Sequence, residues 1–126
     1  QPDEKVTYKT NPPTSGNHNV NPADDGTYAP GATPAKENLV HTLEHGRIII
    51  QYAPDTPPKQ IGQLQSLVDE DSYHVVLIEN NTRMPFAVAA TGWTHLLGCE
   101  KFDDKAFDAI RAFRKRYTDQ APEAIP

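Results

Sequence analysis

Apolar positions recur along this chain at two spacings, one typical of helices and one typical of strands. Between them lie segments rich in proline, glycine, asparagine and aspartate, which are typical of turns and loops. Apolar residues at helical spacing predict helices, and β-branched or apolar runs predict strands. The predicted helices cover residues 34–45, 59–70 and 103–117, and the predicted strands cover 47–52, 73–78 and 85–90.

Local residue chemistry predicts both ends of the first helix. Thr33 has the side chain of an N-cap, and Pro34 suits the first helical position, where its missing N–H costs nothing. Gly46 follows His45 and can take the left-handed conformation that ends a helix. This boundary matters, because His41 and His45 lie in the last predicted turn.

The second and third strands are separated by the turn sequence Asn80-Asn81-Thr82, which favours pairing them as a hairpin. The predicted order is therefore loop, helix, strand, helix, strand, strand, helix. A chain of 126 residues has room for one such core. We expect a single α+β domain with a small antiparallel or mixed sheet and three helices.

The first third of the chain is poor in apolar residues and carries prolines at 2, 12, 13, 22 and 30. The expected organisation is an extended N-terminal loop over residues 1–33, packed on the core, followed by one metal-binding α+β domain over residues 34–126. The aromatic residues Tyr8 and Tyr28 and the turn-rich segment 11–16 favour a packed loop over a disordered one.

Charge and composition narrow the possible partners. The net charge is −5, and the basic residues that cluster (Arg111, Arg114, Lys115 and Arg116) fall at the end of a predicted helix. We therefore expect no nucleic-acid partner. No apolar run reaches the roughly 20 residues of a membrane span. The chain opens with Gln1 instead of Met, so we expect membrane association only through an N-terminal anchor that has been removed.

His41 and His45 are the leading candidates for chemistry. On a helix, side chains four residues apart lie on successive turns of one face, so both imidazoles can reach one ion. On a strand the same spacing separates them by about 13 Å. Leu39, Val40 and Leu43 form a separate apolar face, so the histidines are not members of the core stripe.

Two further residues are candidate ligands. His18 follows a proline-rich turn that can hold it over the core, and Met84 stands at the entrance to the third strand. Histidine combined with methionine favours copper, especially Cu⁺. His74 and His95 are expected to be structural. Cys99, the one cysteine in the chain, has no internal disulfide partner and is expected to be a small buried apolar residue.

The segment also contains His-x-x-Glu-His, the pattern of the inverted zinc peptidases, with Glu44 as the residue that activates water. The short chain and the helix end at Gly46 argue against this reading. Glu44 can instead orient a histidine from outside the ligand set.

Four blocks of sequence occur in an order that resembles one bacterial family, the domain of unknown function numbered 3105. They are Asn-Pro-Pro-Thr-Ser-Gly-Asn-His at 11–18, Gly-Thr-Tyr at 26–28, Glu-Asn-Leu-Val-His-Thr-Leu-Glu-His-Gly at 37–46 with the isoleucine run after it, and Ala-Thr-Gly-Trp at 90–93. The resemblance covers about residues 8–118. It implies an extracytoplasmic (periplasmic or cell-surface) location, often behind an N-terminal anchor, and no settled activity.

The family pattern carries over onto His18, His41, Glu44, His45 and Trp93. Relatives tend to read Ala-Trp-Gly where this chain reads Thr-Gly-Trp-Thr at 91–94, so a role of that turn does not carry over.

These observations lead to one main hypothesis and two alternatives. The main hypothesis is an extracytoplasmic copper-binding protein, a chaperone, carrier or store in copper homeostasis, that delivers its ion to another copper protein. Its metal ligands would be His18, His41, His45 and Met84, and its cofactor a copper ion, with zinc as the alternative. The first alternative is a zinc-dependent hydrolase with Glu44 as base. The second is a metal-free interaction module.

Overall fold

The structure is a computed structural model, which describes residues 10–15 and 22–123. Three helices surround a five-stranded mixed sheet, which confirms the predicted α+β class. In chain order the elements are β1 (Gly26–Thr27), α1 (Lys36–Glu44), β2 (Ile48–Tyr52), α2 (Pro58–Glu70), β3 (Val75–Glu79), β4 (Val88–Gly92), β5 (His95–Cys99) and α3 (Asp104–Tyr117).

The strands follow the order β1-β3-β2-β4-β5 across the sheet. β1, β3 and β2 run parallel to one another, whereas β4 is antiparallel to β2 and β5 is antiparallel to β4. A parallel pair needs a crossover connection, and α2 supplies it between β2 and β3. The start of β2 and the start of β3 therefore lie at the same end of the sheet.

Both faces of the sheet are covered by helices. Every residue of β2 is buried, as expected for a central strand with a continuous β-branched run. Ile48, Ile50 and Tyr52 pack in the cluster formed with α2 and α3. Ile49 points the other way and packs against Leu39 and Leu43 of α1. The alternation of side chains along one strand thus holds α1 apart from the other two helices.

The predicted hairpin between the second and third strands is wrong. β3 and β4 are not neighbours, because β2 lies between them and pairs with both. The segment Asn80-Asn81-Thr82 is therefore part of a longer connection over the end of β2. It is held there by the side chain of Asn11, which donates to the carbonyl of Thr82 at 2.8 Å.

The predicted start of the first helix is also wrong. The Thr33 hydroxyl donates to the carbonyl of Glu79 at 2.6 Å instead of capping a helix. The N-cap is Ala35, which has no side-chain hydrogen bond to offer. The predicted end is confirmed, since α1 stops at Glu44, His45 is the C-cap and Gly46 has a φ of 90°.

Two short strands lie outside the predicted set. β1 occupies only Gly26 and Thr27, within the segment expected to be loop. β5 spans His95–Cys99 and is an edge strand with exposed or half-exposed residues, so it lacks a buried apolar run. Both strands lie at an edge of the sheet. They form because the neighbouring strand offers hydrogen-bond partners, more than because of their own composition.

The described parts of the N-terminal segment contact the core at several points. The Thr42 hydroxyl of α1 accepts from the backbone N–H of Ala23 at 2.7 Å and donates to its carbonyl at 2.8 Å. The carbonyl of Thr14 accepts from the N–H of Thr94 at 2.9 Å. Tyr28 packs against the α1 side of the core. Within residues 10–15 and 22–123, no helix combines the length and the apolar character that crossing a bilayer requires.

Edge strand β5 offers a test of the packing. A Cβ at Gly98 would overlap the ring of Phe86, which covers this position. Gly98→Ala should therefore lower the free energy of unfolding by about 1 kcal/mol or more, because the ring must turn away. Urea denaturation measures the change.

The matched control is Gly62→Ala in α2, where an added Cβ meets open space. Alanine favours a helix over glycine, so this variant should be unchanged or up to about 1 kcal/mol more stable. Equal destabilisation of both variants would contradict the packing described for Phe86.

Candidate metal centre

His41 and His45 lie together at the carboxyl end of α1. Their rings meet edge to face with centroids 4.6 Å apart, and both residues are half-buried. The backbone N–H of His45 still donates to the carbonyl of His41 at 3.2 Å. The last turn is therefore intact at the second histidine, and the helical spacing brings the two imidazoles together as predicted.

A third potential ligand comes from the far end of the chain. One ligand atom from each of His41, His45 and Glu123 lies within 4.8 Å of the others. The Glu123 side chain is exposed, whereas its backbone N–H donates to the carbonyl of Glu44 at 3.1 Å. That bond satisfies one of the carbonyls left open at the end of α1 and places the carboxylate beside the histidines.

The C-terminal segment reaches this position through a hydrogen-bonded anchor at Asp119. Its backbone N–H donates to the carbonyl of Gly46 at 2.8 Å. Its carboxylate oxygens lie 2.7 Å from Nδ1 of His74 and 3.0 Å from the hydroxyl of Tyr73, which donates to it. Asp119 and His74 have φ values of 63° and 53°. This anchor therefore holds two residues in the uncommon left-handed region.

The anchor also shifts a titration. The hydrogen bond to Asp119 raises the pKa of the Tyr73 phenol above its ordinary value of 10.0, helped by desolvation and by the negative charge of the same carboxylate. His74 is buried next to this pair, at the start of β3. Its contacts give it a structural role, in agreement with the expectation from the sequence.

On the other side of the pair, Arg47 fixes the backbone of His45. Its Nη1 donates to the His45 carbonyl at 3.0 Å, and its Nε lies 3.0 Å from a carboxylate oxygen of Asp25. The segment before β1 and the end of α1 are thus tied to the same guanidinium. A charge-assisted pair of this kind restricts where the His45 backbone can move.

The other two predicted ligands are His18 and Met84. His18 falls outside the described residues, so its role as a ligand stays a prediction. Met84 lies in the connection that follows the carboxyl end of β3, whereas His45 precedes the amino end of β2. These are opposite ends of the parallel strands. The structure does not bring Met84 together with the histidine pair, and its role as a ligand also stays a prediction.

The remaining histidine and the cysteine have other surroundings. The ring of His95 stacks on Tyr117 with centroids 4.1 Å apart, and its Nδ1 lies 2.9 Å from the carbonyl of Trp93. Cys99 is half-buried on β5, and burial raises the pKa of its thiol above the ordinary value. A raised pKa disfavours the thiolate that binds metal.

Two imidazole nitrogens and one carboxylate oxygen form a donor set that suits a borderline metal ion such as Cu²⁺ or Zn²⁺. Ligand atoms about 2.1 Å from a tetrahedral ion lie about 3.4 Å apart. The observed limit of 4.8 Å requires only a modest closing movement of the side chains. Because Glu123 is exposed, its carboxylate can supply that movement.

Glu123 has no signal in the sequence that would single it out. It is one of 17 acidic residues and lies 78 positions after His45 in a proline-containing tail. Only the return of the chain to the end of α1 reveals it. Glu44, the acid of the sequence motif, is absent from the three-residue cluster described here and contributes its backbone carbonyl instead.

The anchor at Asp119 makes a prediction about Tyr73. Asp119→Asn removes the charge and weakens acceptance from the phenol, so the pKa of Tyr73 should fall toward its ordinary value. The contribution of this contact to stability is present below pH 10 and is lost as the pH rises through the raised pKa. A pH titration of the Tyr73 ring by NMR measures the shift.

Asp104→Asn is the control, since Asp104 is an exposed residue of the first turn of α3. It should leave the Tyr73 titration unchanged. An unchanged titration in Asp119→Asn would show that the phenol is not hydrogen-bonded to this carboxylate in solution.

Comparison with known proteins yields one match. No curated protein and no solved structure matches the chain. A family model described as a protein of unknown function, DUF3105, matches residues 1–125. The match covers nearly the whole chain, including the turn-rich N-terminal segment, the histidine pair and the tail that carries Glu123. The chain therefore belongs to the DUF3105 family.

Proposed function

We propose that this protein binds one Cu²⁺ ion through His41, His45 and Glu123 and acts as a copper carrier, chaperone or store. The observation that carries the proposal is the convergence of these three side chains, with all ligand atoms within 4.8 Å. Two of them are fixed by one helical turn, and the third is delivered by a hydrogen-bonded tail. A chance group of acidic residues on a protein surface does not need a helical turn or a hydrogen-bonded tail to hold its side chains together.

The donor set favours the divalent copper ion. A site with two nitrogens and one oxygen lacks the soft sulfur ligands that select Cu⁺. Among divalent first-row ions, Cu²⁺ has the highest affinity for such ligands. Met84 is not part of this proposal, because it lies at the opposite end of the parallel strands from the histidine pair. His18, which lies outside the described residues, is a further imidazole ligand predicted from the sequence.

The exposure of Glu123 supports transport or storage over catalysis. The two histidines are half-buried, while the carboxylate sits on the surface near the end of the described chain. A ligand in this position can be exchanged for one from another protein without disturbing the core. The expected partner is accordingly another copper protein. An extracytoplasmic location, implied by the family resemblance, is part of the same proposal.

Copper binding is tested by titrating the untagged chain with Cu²⁺ and measuring bound metal by elemental analysis. We expect about one ion per chain. His41→Ala combined with His45→Ala should abolish binding, and Glu123→Gln should weaken it by about tenfold or more, since loss of a supporting residue alone costs that much. Binding should also weaken as the pH falls, because a ligating imidazole must be deprotonated.

His95→Ala and Glu100→Gln provide matched controls, because both residues are exposed and lie outside the cluster. They should bind copper like the unaltered chain. Full copper binding by the double histidine variant would refute the proposal. Absence of bound Cu²⁺ and Zn²⁺, with no change of melting temperature in either metal, would identify a metal-free interaction module.

A zinc-dependent hydrolase is the second candidate, and the carboxylate of Glu123 is the observation that favours it. Two histidines and one glutamate form a ligand set of known catalytic zinc sites, which keep a fourth position for water. Glu44→Gln separates the two functions. A hydrolase would keep its zinc and lose its activity, whereas a carrier would bind and release copper as before.

A further inference from the structure

A second concave site lies at the opposite end of α1. A cavity of about 360 Å³ opens between the first turns of α1, the ends of β2 and β3, and the connection after β3. Its volume falls within the range of small-molecule sites, at the small end. None of the three residues proposed to hold metal is among its lining residues. The two sites can therefore be tested separately.

The floor of the cavity contains a buried amide with a fixed orientation. Gln51 is only 2% exposed, and its Oε1 accepts from Nδ2 of Asn80 at 2.7 Å. The oxygen of Asn80 is in turn held by the N–H and the hydroxyl of Thr82, at 2.9 and 2.7 Å. This chain of bonds determines which way the Gln51 amide faces.

The amide nitrogen of Gln51 is left without a partner. Among residues 10–15 and 22–123, the Gln51 side chain makes one hydrogen bond, and that bond uses its oxygen. This nitrogen is not fully enclosed, since the enclosed side-chain polar atom without a partner in the described residues is Oδ1 of Asn38. Because Gln51 lines the cavity, a ligand that presents an acceptor there would satisfy this donor.

The rest of the lining specifies the remainder of the ligand. Leu39, Ile49 and Ile78 supply apolar wall, so the ligand has an apolar body. Glu37 and Lys36 contribute one charge of each sign to the lining. The lining therefore has no excess of charged residues of one sign, and bringing an ion into a site without an excess of opposite charge costs its hydration.

We propose that this cavity binds a small uncharged molecule that carries an amide-type carbonyl on an apolar body. The carbonyl oxygen accepts from Nε2 of Gln51, and the body packs against the aliphatic wall. Recognition of this kind combines a mostly apolar pocket with a few placed polar groups.

The test uses three probes with one carbon skeleton: 4-methylpentanamide, 4-methylpentanoate and 4-methylpentylammonium. Each is titrated into the full metal-free chain and followed by protein-detected NMR. The amide should bind most tightly and shift the signals of the Gln51 side chain and of residues around it. Equal binding of all three probes, or shifts centred elsewhere, would overturn the proposal.

Gln51→Glu keeps an oxygen for Asn80 and removes the N–H donor, so amide binding should weaken by about tenfold, the equivalent of one hydrogen bond. Gln63→Glu, at an exposed position of α2, is the matched control and should bind normally. Unchanged binding by Gln51→Glu would refute the role of the amide.

A second variant covers the case in which a buried glutamate unfolds the protein. Ala35 lines the cavity and is exposed, so Ala35→Trp should fill the opening at little cost in stability. Binding of the amide probe should be lost while the melting temperature is kept. Normal binding by a folded Ala35→Trp variant would show that the ligand does not enter this cavity.

Discussion

The central strand β2 has no side exposed to solvent, and this constraint arranges the rest of the domain. All five of its residues are buried, so apolar groups must cover both faces and hydrogen-bonded strands must flank both edges. β3 and β4 occupy the edges, α1 covers one face, and α2 with α3 covers the other. Because only three residues, His45, Gly46 and Arg47, lie between α1 and β2, the end of α1 that carries the histidine pair is held close to the start of this buried strand.

Features encoded by neighbouring residues could be predicted from the sequence, and features encoded by distant ones could not. The three helices, the Ile48–Tyr52 strand and the stop at Gly46 depend on local spacing and backbone freedom, and all are present. The hairpin prediction failed because pairing depends on which strand needs an edge covered. β2 is buried on both faces and pairs with β4. A short turn would instead have paired β4 with β3. Likewise, the Thr33 hydroxyl binds the carbonyl of Glu79, a residue 46 positions away, instead of capping a helix.

The candidate metal centre likewise has residues that could be predicted from the sequence and one that could not. His41 and His45 could be identified from sequence because a helix brings residues four apart together. Glu123 could not, because its position results from one backbone hydrogen bond to Glu44 and from the anchor formed by Asp119 with Tyr73 and His74. The replacement of a soft sulfur by an exposed carboxylate changes the expected chemistry. The proposed ion is therefore Cu²⁺ instead of Cu⁺, and one of its proposed ligands is easier to exchange.

Helix α1 links both proposed sites, because Glu37, His41 and His45 follow one another at intervals of four residues along the same side. One helical turn rises about 5.4 Å, so the cavity residue Glu37 lies about one turn from the first histidine. The two ends differ in their surroundings. At the amino end, buried amides and aliphatic side chains favour an uncharged ligand. At the carboxyl end, half-buried imidazoles and an exposed carboxylate favour a cation. The negative end of the helix dipole reinforces the second preference. A single short helix, positioned by one buried strand, thus separates the two proposed sites within one small domain.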